Sequence, residues 1–363
     1  MKVLHISGQH TWRGGEQQIA YLIHYLAEEG CENILYCPDN AVLRSKVSRA
    51  KQFTFVRGLL FQLKAAYSLA KICKQENPDI VHLHDADAHL VGVLSANFFG
   101  NRSIMVLSRR VDFAIKKRWT TRFKYQHKAI KAIICVSEAI ATIMKDSFPE
   151  KRIVVVYDGI LPNKFQSGLQ VLRSTYQLSK NISLIGNIAA LADHKDHFTF
   201  LKTAEELLRE NSNLHFFIIG ADQGMGEALK SWIQDHNLQE NITLTGFRTD
   251  IDKILPELDI FLFTSKQEGL GTSILDAFAA KVPVVATKAG SIPEIVEDAH
   301  TGFLCDIGDS KSLSIRVKQL LENQELKNKI SQKAFEKLLV DFTAERMAQN
   351  TKTIYLKVLE KSF

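Results

Sequence analysis

The sequence predicts an α/β protein made of two Rossmann-like, doubly wound domains, each a parallel sheet covered by helices on both faces. Short runs rich in valine and isoleucine alternate with helical patterns along most of the chain, which is typical of buried parallel strands. The alternation pauses between residues 160 and 180 and then starts again. A chain of 363 residues is also longer than a single hydrophobic core usually supports.

The first series of predicted strands reads KVLHIS, NILYC, DIVHLH, SIMVLS, AIICVS and RIVVVY. Helical patterns separate these strands. In EQQIAYLIHYLAEEG, for example, apolar residues recur three and four positions apart until a terminal glycine, Gly30. The series predicts a first domain over residues 1–165.

The second series of predicted strands reads ISLIGNI, LHFFIIG, ITLTG, LDIFLFTS and PVVAT, and it predicts a second domain over residues 175–342. The segment behind it, TAERMAQNTKTIYLKVLE, has a helical pattern that no strand follows. We therefore expect a C-terminal helix within residues 343–363 that packs back on the first domain.

Composition narrows the class of protein. No apolar run approaches the length of a transmembrane helix, and the first residues resemble a strand rather than a signal peptide. The five scattered cysteines form no C-x-x-C pair, as expected of free thiols in the cytoplasm. Residues 1–170 carry 24 Lys and Arg against 14 Asp and Glu, a balance of +10, while the remainder carries 22 against 26, a balance of −4. The basic half indicates contact with something anionic.

A glycine-rich loop lies between a predicted strand and a predicted helix, in KQEGLGTSILDAFAAKVPVVATKAG (residues 266–290). Gly269 and Gly271 allow a sharp turn and a close approach of the backbone to a ligand. Thr272 or Ser273 is placed to cap the following helix. Amides and the dipole at the start of that helix favour a diphosphate.

Two carboxylates flank this loop. Glu268 can accept hydrogen bonds from a polyol, and Asp276, one turn inside the helix, can accept them from a ribose diol. The combination favours a nucleotide sugar. Taken without further context, a solvated loop acid and the polar face of a helix explain the same two residues.

The stretch from Gly246 to Asp309 resembles the retaining glycosyltransferases of family 4, whose hallmark is E-x7-E. Glu268 stands at the first position of that motif, and Asp276 stands at the second, one methylene shorter. The resemblance covers nearly the whole chain. It implies the GT-B fold, with two domains facing across a cleft, a nucleotide diphosphate sugar as co-substrate, and no protein-bound metal or other cofactor.

The same resemblance implies further donor contacts. Lys195, in IGNIAALADHKDH, matches a lysine that contacts the donor diphosphate, and Asn187 occupies the usual arginine position. Arg248 lies where relatives contact the base, and Gly15, in TWRGGEQQ, lies in the family's glycine-rich loop after the first strand. The full expected donor-binding set is Gly15, Asn187, Lys195, Arg248, Glu268, Gly269, Leu270, Gly271, Thr272 and Asp276.

Arg109 and Arg110, in VLSRRVDF, stand where many relatives place a histidine near the reacting carbon. An arginine stabilises developing phosphate charge but cannot act as a base. The sequence leaves open which of the two faces the site. The expected catalytic residues are Glu268, Lys195, Arg110 and His84.

The segment DIVHLHDADAHL brings His82, His84, Asp85, Asp87 and His89 close together in sequence, as in some metal sites. A strand turns into a helix within this segment, so the five side chains cannot all face one point, and we expect no metal there. His84, at the carboxyl end of the strand, is either a residue near the acceptor or a histidine satisfied within the fold.

The basic stretch IKKRWTTRFKYQHKAIK interleaves cations with aromatic residues and has no acid between Asp112 and Glu138. On a helix this pattern suits an anionic membrane surface, such as the inner face of the cytoplasmic membrane, and it also suits a solvated face. The expected membrane or acceptor surface comprises Lys116, Lys117, Arg118, Trp119, Arg122 and Lys124.

These observations predict a retaining glycosyltransferase that moves a sugar from a nucleotide diphosphate sugar to a glycan or lipid-linked acceptor, in bacterial cell-surface polysaccharide or lipopolysaccharide synthesis. The resemblance implies front-face attack, with the departing phosphate taking the proton. No nucleic-acid partner is expected. A nucleotide-sugar epimerase or phosphorylase of the same fold remains open, as does a non-catalytic membrane- or nucleic-acid-binding protein. The first strand lacks the G-x-G-x-x-G fingerprint, which disfavours a nicotinamide dehydrogenase.

Overall fold

The computed structural model describes residues 1–113, 115 and 118–360, and the chain divides into two compact units. The first unit comprises Met1–Gly159 together with the residues from Ala344 onward, and the second comprises Ile160–Thr343. Each unit is built on a parallel sheet flanked by helices. The prediction of two parallel α/β units is confirmed.

The first unit begins with a regular alternation of strands and helices. Its strands are β1 (Lys2–Ile6), β2 (Glu32–Pro38), β3 (Lys51–Phe55), β4 (Ile80–Leu83), β5 (Met105–Arg109), β6 (Ile130–Cys135) and β7 (Ile153–Val155). Its helices up to this point are α1 (Gly14–Glu28), α2 (Leu43–Lys46), α3 (Phe61–Glu76), α4 (Ala86–Phe98), α5 (Trp119–Tyr125) and α6 (Glu138–Ser147).

The second unit repeats the alternation. Its strands are β8 (Ser183–Ile188), β9 (Leu214–Ile219), β10 (Ile242–Gly246), β11 (Ile260–Phe263), β12 (Val284–Thr287) and β13 (Phe303–Cys305). Its helices are α7 (Val171–Tyr176), α8 (His197–Glu210), α9 (Gly226–Asp235), α10 (Ile251–Ile254), α11 (Thr272–Ala279), α12 (Ile292–Ile295), α13 (Ser310–Glu322) and α14 (Gln324–Asp341). The last helix, α15 (Ala344–Leu359), belongs to the first unit.

Both sheets reverse their strand order at one point. The first has the order β3-β2-β1-β4-β5-β6-β7, and the second has the order β10-β9-β8-β11-β12-β13. The reversals therefore lie between β1 and β4 and between β8 and β11. Doubly wound sheets bind ligands at the carboxyl ends of the strands beside such a reversal.

The sequence misses two strands, one in each sheet. β3 is an edge strand whose residues are mostly exposed or half-buried, so it lacks the continuous apolar run of a central strand. β13 is an edge strand of three residues, too short to give a periodic signal. Elsewhere the predicted and observed strands coincide closely.

Helix α15 is held by apolar packing within the first unit. Met347, Ala348 and Tyr355 join Leu22 and Leu26 of α1 in one buried cluster. No helix in the described part of the chain is both long and apolar enough to cross a membrane.

Candidate active site

In the second unit, a charged pair lies beside the strand reversal. Lys195 ends a one-turn 3-10 helix that follows β8, and Glu268 lies in the loop after β11. Because β8 and β11 are neighbours, the two loops meet, and Lys195 Nζ lies 2.5 Å from Glu268 Oε2. Both side chains are largely enclosed, with exposed fractions of 16% and 14%. A mostly buried cation and anion therefore occupy the place where such sheets bind ligands.

Hydrogen bonds from Ser291 and the close approach of Gly290 fix the backbone of the Glu268 loop. Ser291 Oγ donates to the carbonyl oxygen of Gly269 at 2.8 Å, and its amide donates to the carbonyl oxygen of Glu268 at 3.3 Å. Gly290 has φ +52°, and a Cβ added there would lie 2.3 Å from Glu268 O. The loop is consequently fixed in place while the Glu268 side chain points to Lys195.

Helix α11 starts without a side-chain cap. Gly271 adopts φ +86° and is the N-cap residue, with no hydrogen bond from a side chain. The prediction that Thr272 or Ser273 caps this helix is wrong, because the left-handed glycine ends the loop and Thr272 is already the first helical residue. Leu270, which is buried, anchors the loop in the core. The first turn therefore presents amides and a positive dipole end to an anion.

Asp276 lies in α11 and forms an ion pair with Lys164. The distance between Lys164 Nζ and Asp276 Oδ1 is 2.8 Å. Burial raises the pKa of Asp276, and the charge and hydrogen bond of Lys164 oppose that rise. The sequence did not identify Lys164 as the partner of Asp276. Lys164 lies in the segment LPNKF and is the first cation of the second unit.

Asn187 and Arg248 are already engaged within the unit. Asn187 is buried in β8 and donates its Nδ2 to the carbonyl oxygen of Leu262 at 2.8 Å, which ties β8 to β11. Arg248 donates two hydrogen bonds to Asp250, at 2.9 and 2.7 Å. The roles of these two residues in donor binding stay predictions.

In the first unit, histidines cluster at the reversal between β1 and β4. His5 of β1 lies opposite His82 of β4 in the sheet register, and His84 follows directly after β4. His5 Nδ1 is 3.0 Å from His84 Nε2, and His5 Nε2 is 3.2 Å from Asn33 Oδ1. Sequence reasoning missed His5 and Asn33; pairing the predicted β1 with the predicted HLH strand would have brought His5 into the cluster.

Each histidine of this cluster offers a ring nitrogen within 4.8 Å of the other two, which raises the question of a metal. The nitrogens of His82 instead contact Tyr355 Oη at 2.5 Å and Ser108 Oγ at 2.7 Å. Burial lowers the pKa of His5 to about 4 and the pKa values of His82 and His84 well below the usual value, so the rings are neutral. Hydrogen bonds engage both ring nitrogens of His5 and of His82 and one ring nitrogen of His84.

The neighbouring acids have separate structural roles. Asp85 accepts a hydrogen bond from the amide of Ala88 at 2.9 Å and caps α4. Asp87 pairs with Arg57 at 3.1 Å. His89 lies inside α4 and packs against Tyr125. The expectation that no metal binds in this segment stays a prediction.

The two arginines at the carboxyl end of β5, Arg109 and Arg110, have different partners. Arg110 forms an ion pair with buried Asp158, and its Cδ lies 3.9 Å from the Cβ position of an alanine built at Gly15. Arg109 instead donates to Tyr125 Oη at 3.2 Å and to the carbonyl oxygen of Phe113 at 2.8 Å. Arg110 is thus the arginine beside the glycine loop, which the sequence could not decide. The catalytic role of Arg110 and the donor contact of Gly15 stay predictions.

The predicted membrane surface is only partly helical. Arg118 and Trp119 lie at the start of α5, where Trp119 is 79% exposed, and Arg122 is exposed on the same short helix. Lys124 is half-buried, and burial together with the charge of Arg109 lowers its pKa. Lys116 and Lys117 lie outside the described residues.

Two family models match the chain one after the other. Glycosyltransferase Family 4 matches residues 12–164, and glycosyl transferases group 1 matches residues 170–337. A glycosyltransferase from Rickettsia africae has a similar structure, with a TM-score of 0.87 at 20% identity over 99% of both chains.

Two bacterial relatives span almost the whole chain. One is the UDP-Gal:alpha-D-GlcNAc-diphosphoundecaprenol alpha-1,3-galactosyltransferase of Escherichia coli, 22% identical over 99% of this chain and 97% of the relative. Another is the lipopolysaccharide core biosynthesis glycosyltransferase LpsE of Rhizobium meliloti, 22% identical over 95% of each.

A parallel α/β unit with a glycine loop, an uncapped helix start and a lysine–carboxylate pair at its strand reversal is typical of a nucleotide-binding protein. The chain belongs to the glycosyltransferases of the GT-B type, with a family 4 N-terminal half and a group 1 C-terminal half.

Proposed function

We propose that the protein is a retaining glycosyltransferase that transfers a sugar from a uridine diphosphate sugar to a glycan or lipid-linked acceptor. The second unit binds the donor, and the first unit binds the acceptor. The reaction serves bacterial cell-surface polysaccharide or lipopolysaccharide synthesis. The choice of uridine and of a glycan acceptor is supported by the names of the two bacterial relatives, one of which uses UDP-Gal and a diphosphoundecaprenol acceptor.

The observation that carries the donor site is the Lys195–Glu268 pair beside the start of α11. Lys195 supplies a cation for the diphosphate, and the amides at Thr272 and Ser273 add donors with a favourable dipole. Glu268 accepts hydrogen bonds from the sugar hydroxyls. The lysine and the carboxylate neutralise each other at 2.5 Å, so donor binding replaces an internal contact instead of burying an unpaired charge.

In this proposal Asp276 binds the ribose. Its Oδ1 is bound to Lys164, and a carboxylate has further acceptor sites on both oxygens for a vicinal diol. Aspartate at this position still provides both oxygens, although its side chain is shorter than that of glutamate.

The transfer step needs leaving-group stabilisation more than a base. The bond between the acceptor oxygen and the anomeric carbon forms on the face from which the diphosphate leaves, and the proton of the acceptor hydroxyl passes to the departing phosphate oxygen. Lys195 and the loop amides then stabilise charge that grows on the diphosphate as the glycosidic bond breaks. We expect this step to need no protein-bound metal.

A peripheral membrane contact fits a lipid-linked acceptor. Besides Trp119, the loop before α3 exposes Val56, Leu59 and Leu60, with exposed fractions of 71%, 88% and 59%. No acid occurs between Asp39 and Glu76, nor between Asp112 and Glu138. Exposed apolar side chains among cations suit an anionic bilayer surface.

The test is a screen of nucleotide diphosphate sugars by thermal shift, followed by turnover of each hit with oligosaccharide and polyprenyl diphosphate-linked acceptors. We expect stabilisation by a UDP-sugar and a product with the same anomeric configuration as the donor, read by NMR. An inverted product would contradict retention. Donor consumption without any acceptor would favour an epimerase, donor consumption that requires inorganic phosphate would favour a phosphorylase, and no stabilisation by any nucleotide would favour a non-catalytic role.

A further inference from the structure

A chain of hydrogen bonds in the first unit determines which nitrogen of His84 carries the proton. The chain starts at Asn33, whose Nδ2 donates to the carbonyl oxygens of Ile23 at 3.3 Å and Cys31 at 3.2 Å. The amide orientation is fixed, because a flipped amide would place its oxygen against two carbonyl oxygens. Asn33 Oδ1 therefore faces His5, and it can only accept.

The next link is His5. Its Nε2 lies 3.2 Å from Asn33 Oδ1, so Nε2 carries the hydrogen and donates it. Burial lowers the pKa of His5 to about 4, so the ring is neutral and its Nδ1 is bare. That bare nitrogen lies 3.0 Å from His84 Nε2 and must accept from it.

The last link is His84. Since its Nε2 donates to His5 and its ring is neutral, its Nδ1 is a bare acceptor. That nitrogen is buried and has no hydrogen-bond partner in the described part of the chain. A buried acceptor without a partner is unfavourable and usually marks a site that a ligand or water completes.

His82 provides a contrast within the same cluster. Its two nitrogens contact the hydroxyl groups of Tyr355 and Ser108. A hydroxyl can donate or accept, so these partners leave the tautomer of His82 undetermined. The Asn33–His5–His84 chain, in contrast, starts from a group that can only accept.

The partner that suits His84 Nδ1 is a hydroxyl group. Arg110 lies near enough for its charge to contribute to the lowered pKa of His84, and its Nε is also buried without a partner among the described residues. One unfilled acceptor and one unfilled donor in the same neighbourhood match a hydroxyl, which donates and accepts at once. Both residues follow the carboxyl ends of neighbouring strands, β4 and β5.

We propose that Asn33 and His5 are positioning residues that hold His84 in the Nε2-protonated tautomer, so that His84 Nδ1 accepts the hydrogen bond of the acceptor's attacking hydroxyl. This inference rests on the proposed function, because it assigns the hydroxyl to the acceptor substrate. His84 orients the hydroxyl without taking its proton, since a buried imidazole beside Arg110 resists protonation.

The first experiment tests the tautomer in the ligand-free protein, independently of catalysis. Protein labelled with ¹⁵N-histidine is studied by long-range ¹H–¹⁵N correlation NMR, with His84 assigned from a His84→Asn variant. We expect a protonated Nε2 and a bare Nδ1 in the wild type at neutral pH. His5→Phe should give a mixture of both tautomers at His84, whereas Ser108→Ala, which removes a hydrogen bond from His82 in the same cluster, should leave His84 unchanged.

The second experiment separates positioning from folding. His5→Phe should raise the KM for the acceptor about tenfold and leave the KM for the donor unchanged. His5→Gln should restore most of the loss, because its amide nitrogen can donate to Asn33 Oδ1 and its amide oxygen can accept from His84 Nε2. Thermal melting and UDP affinity identify any variant that has failed to fold.

The last measurement identifies the partner of Nδ1. Saturating the labelled protein with the acceptor that supports turnover should shift the His84 Nδ1 resonance. A resonance that stays fixed during turnover would mean that a buried water is the partner, and the proposal would be overturned. An unchanged tautomer in His5→Phe would overturn it as well. Absence of UDP binding would instead reject the proposed function and leave the tautomer result standing.

Discussion

The two units use the same topological position in opposite ways. In the second unit, a charged pair, Lys195 with Glu268, lies beside the strand reversal, and a second pair, Lys164 with Asp276, involves the helix after β11. In the first unit, the equivalent position holds buried neutral histidines in a hydrogen-bond chain. One reversal is thus suited to bind an anion, and the other to orient a neutral group.

The two units differ in how the cost of burying polar side chains is offset. In the second unit each of these largely buried charges has a partner of opposite charge, which limits the cost of burial. In the first unit no such partner is needed, because burial keeps the histidines neutral. We therefore expect mutations in the second unit to act on charge and mutations in the first to act on geometry.

Replacing Glu268 should have the largest effect. Glu268→Gln removes the charge that pairs with Lys195 and weakens the contacts to the sugar, so we expect kcat/KM to fall about 10²- to 10³-fold. The fold should be retained, because the residue lies in a loop whose backbone is held by Ser291. Steady-state kinetics and a thermal melt measure the two effects.

Glu240→Gln, at an exposed acid of the same unit, is the matched control for Glu268 and should leave turnover unchanged. Near-normal turnover in Glu268→Gln would reject the donor site.

Lys195→Met should lower kcat about a hundredfold and raise the KM for the donor much less, because the charge on the diphosphate grows in the transition state. Lys266→Met, at a more exposed lysine of the adjacent loop, is the control. If only the KM changes, Lys195 binds ground state and transition state equally, and its catalytic assignment fails.

Asp276→Asn should weaken UDP binding about tenfold, equivalent to about 1.4 kcal/mol, because an amide has a single acceptor oxygen. Asp276→Glu should retain binding. Isothermal titration calorimetry measures both, and unchanged affinity in Asp276→Asn would favour a purely structural ion pair with Lys164.

The pH dependence of UDP binding tests whether the ionised form of Asp276 contacts the ribose. Burial raises the pKa of Asp276, so its carboxylate protonates at a higher pH than an ordinary aspartate. If the ionised form accepts from the ribose, UDP affinity should fall as the pH is lowered through that raised pKa. The same titration of Asp276→Asn should lack this component, and identical profiles for the two proteins would count against a ribose contact.

The smallest effect should come from the first unit's surface. Arg122→Gln should weaken binding to vesicles of anionic lipid about fivefold, since each cation near the surface contributes about 1 kcal/mol. Binding should fall with added salt, and Trp119 fluorescence should shift to the blue on contact. Lys318→Gln, on a helix of the second unit, is the control, and binding to neutral vesicles of equal strength would reject an electrostatic contact.

The sequence predicted the parallel α/β units because buried central strands give continuous apolar runs. It also placed Lys195 and Glu268 in loops that the structure brings into contact. It could not find Lys164 or Asn33, since their partners lie far away in sequence. The choice between Arg109 and Arg110 likewise depended on Asp158, a residue that no motif marks.

Donor binding at the reversal between β8 and β11 is tested most directly by hydrogen–deuterium exchange with and without UDP. We predict slower amide exchange on UDP binding in residues 266–275, which include the glycine loop and the first turn of α11, and in residues 189–197 around Lys195. Exchange that slows elsewhere while both segments stay unchanged, under conditions where calorimetry shows UDP bound, would contradict the account.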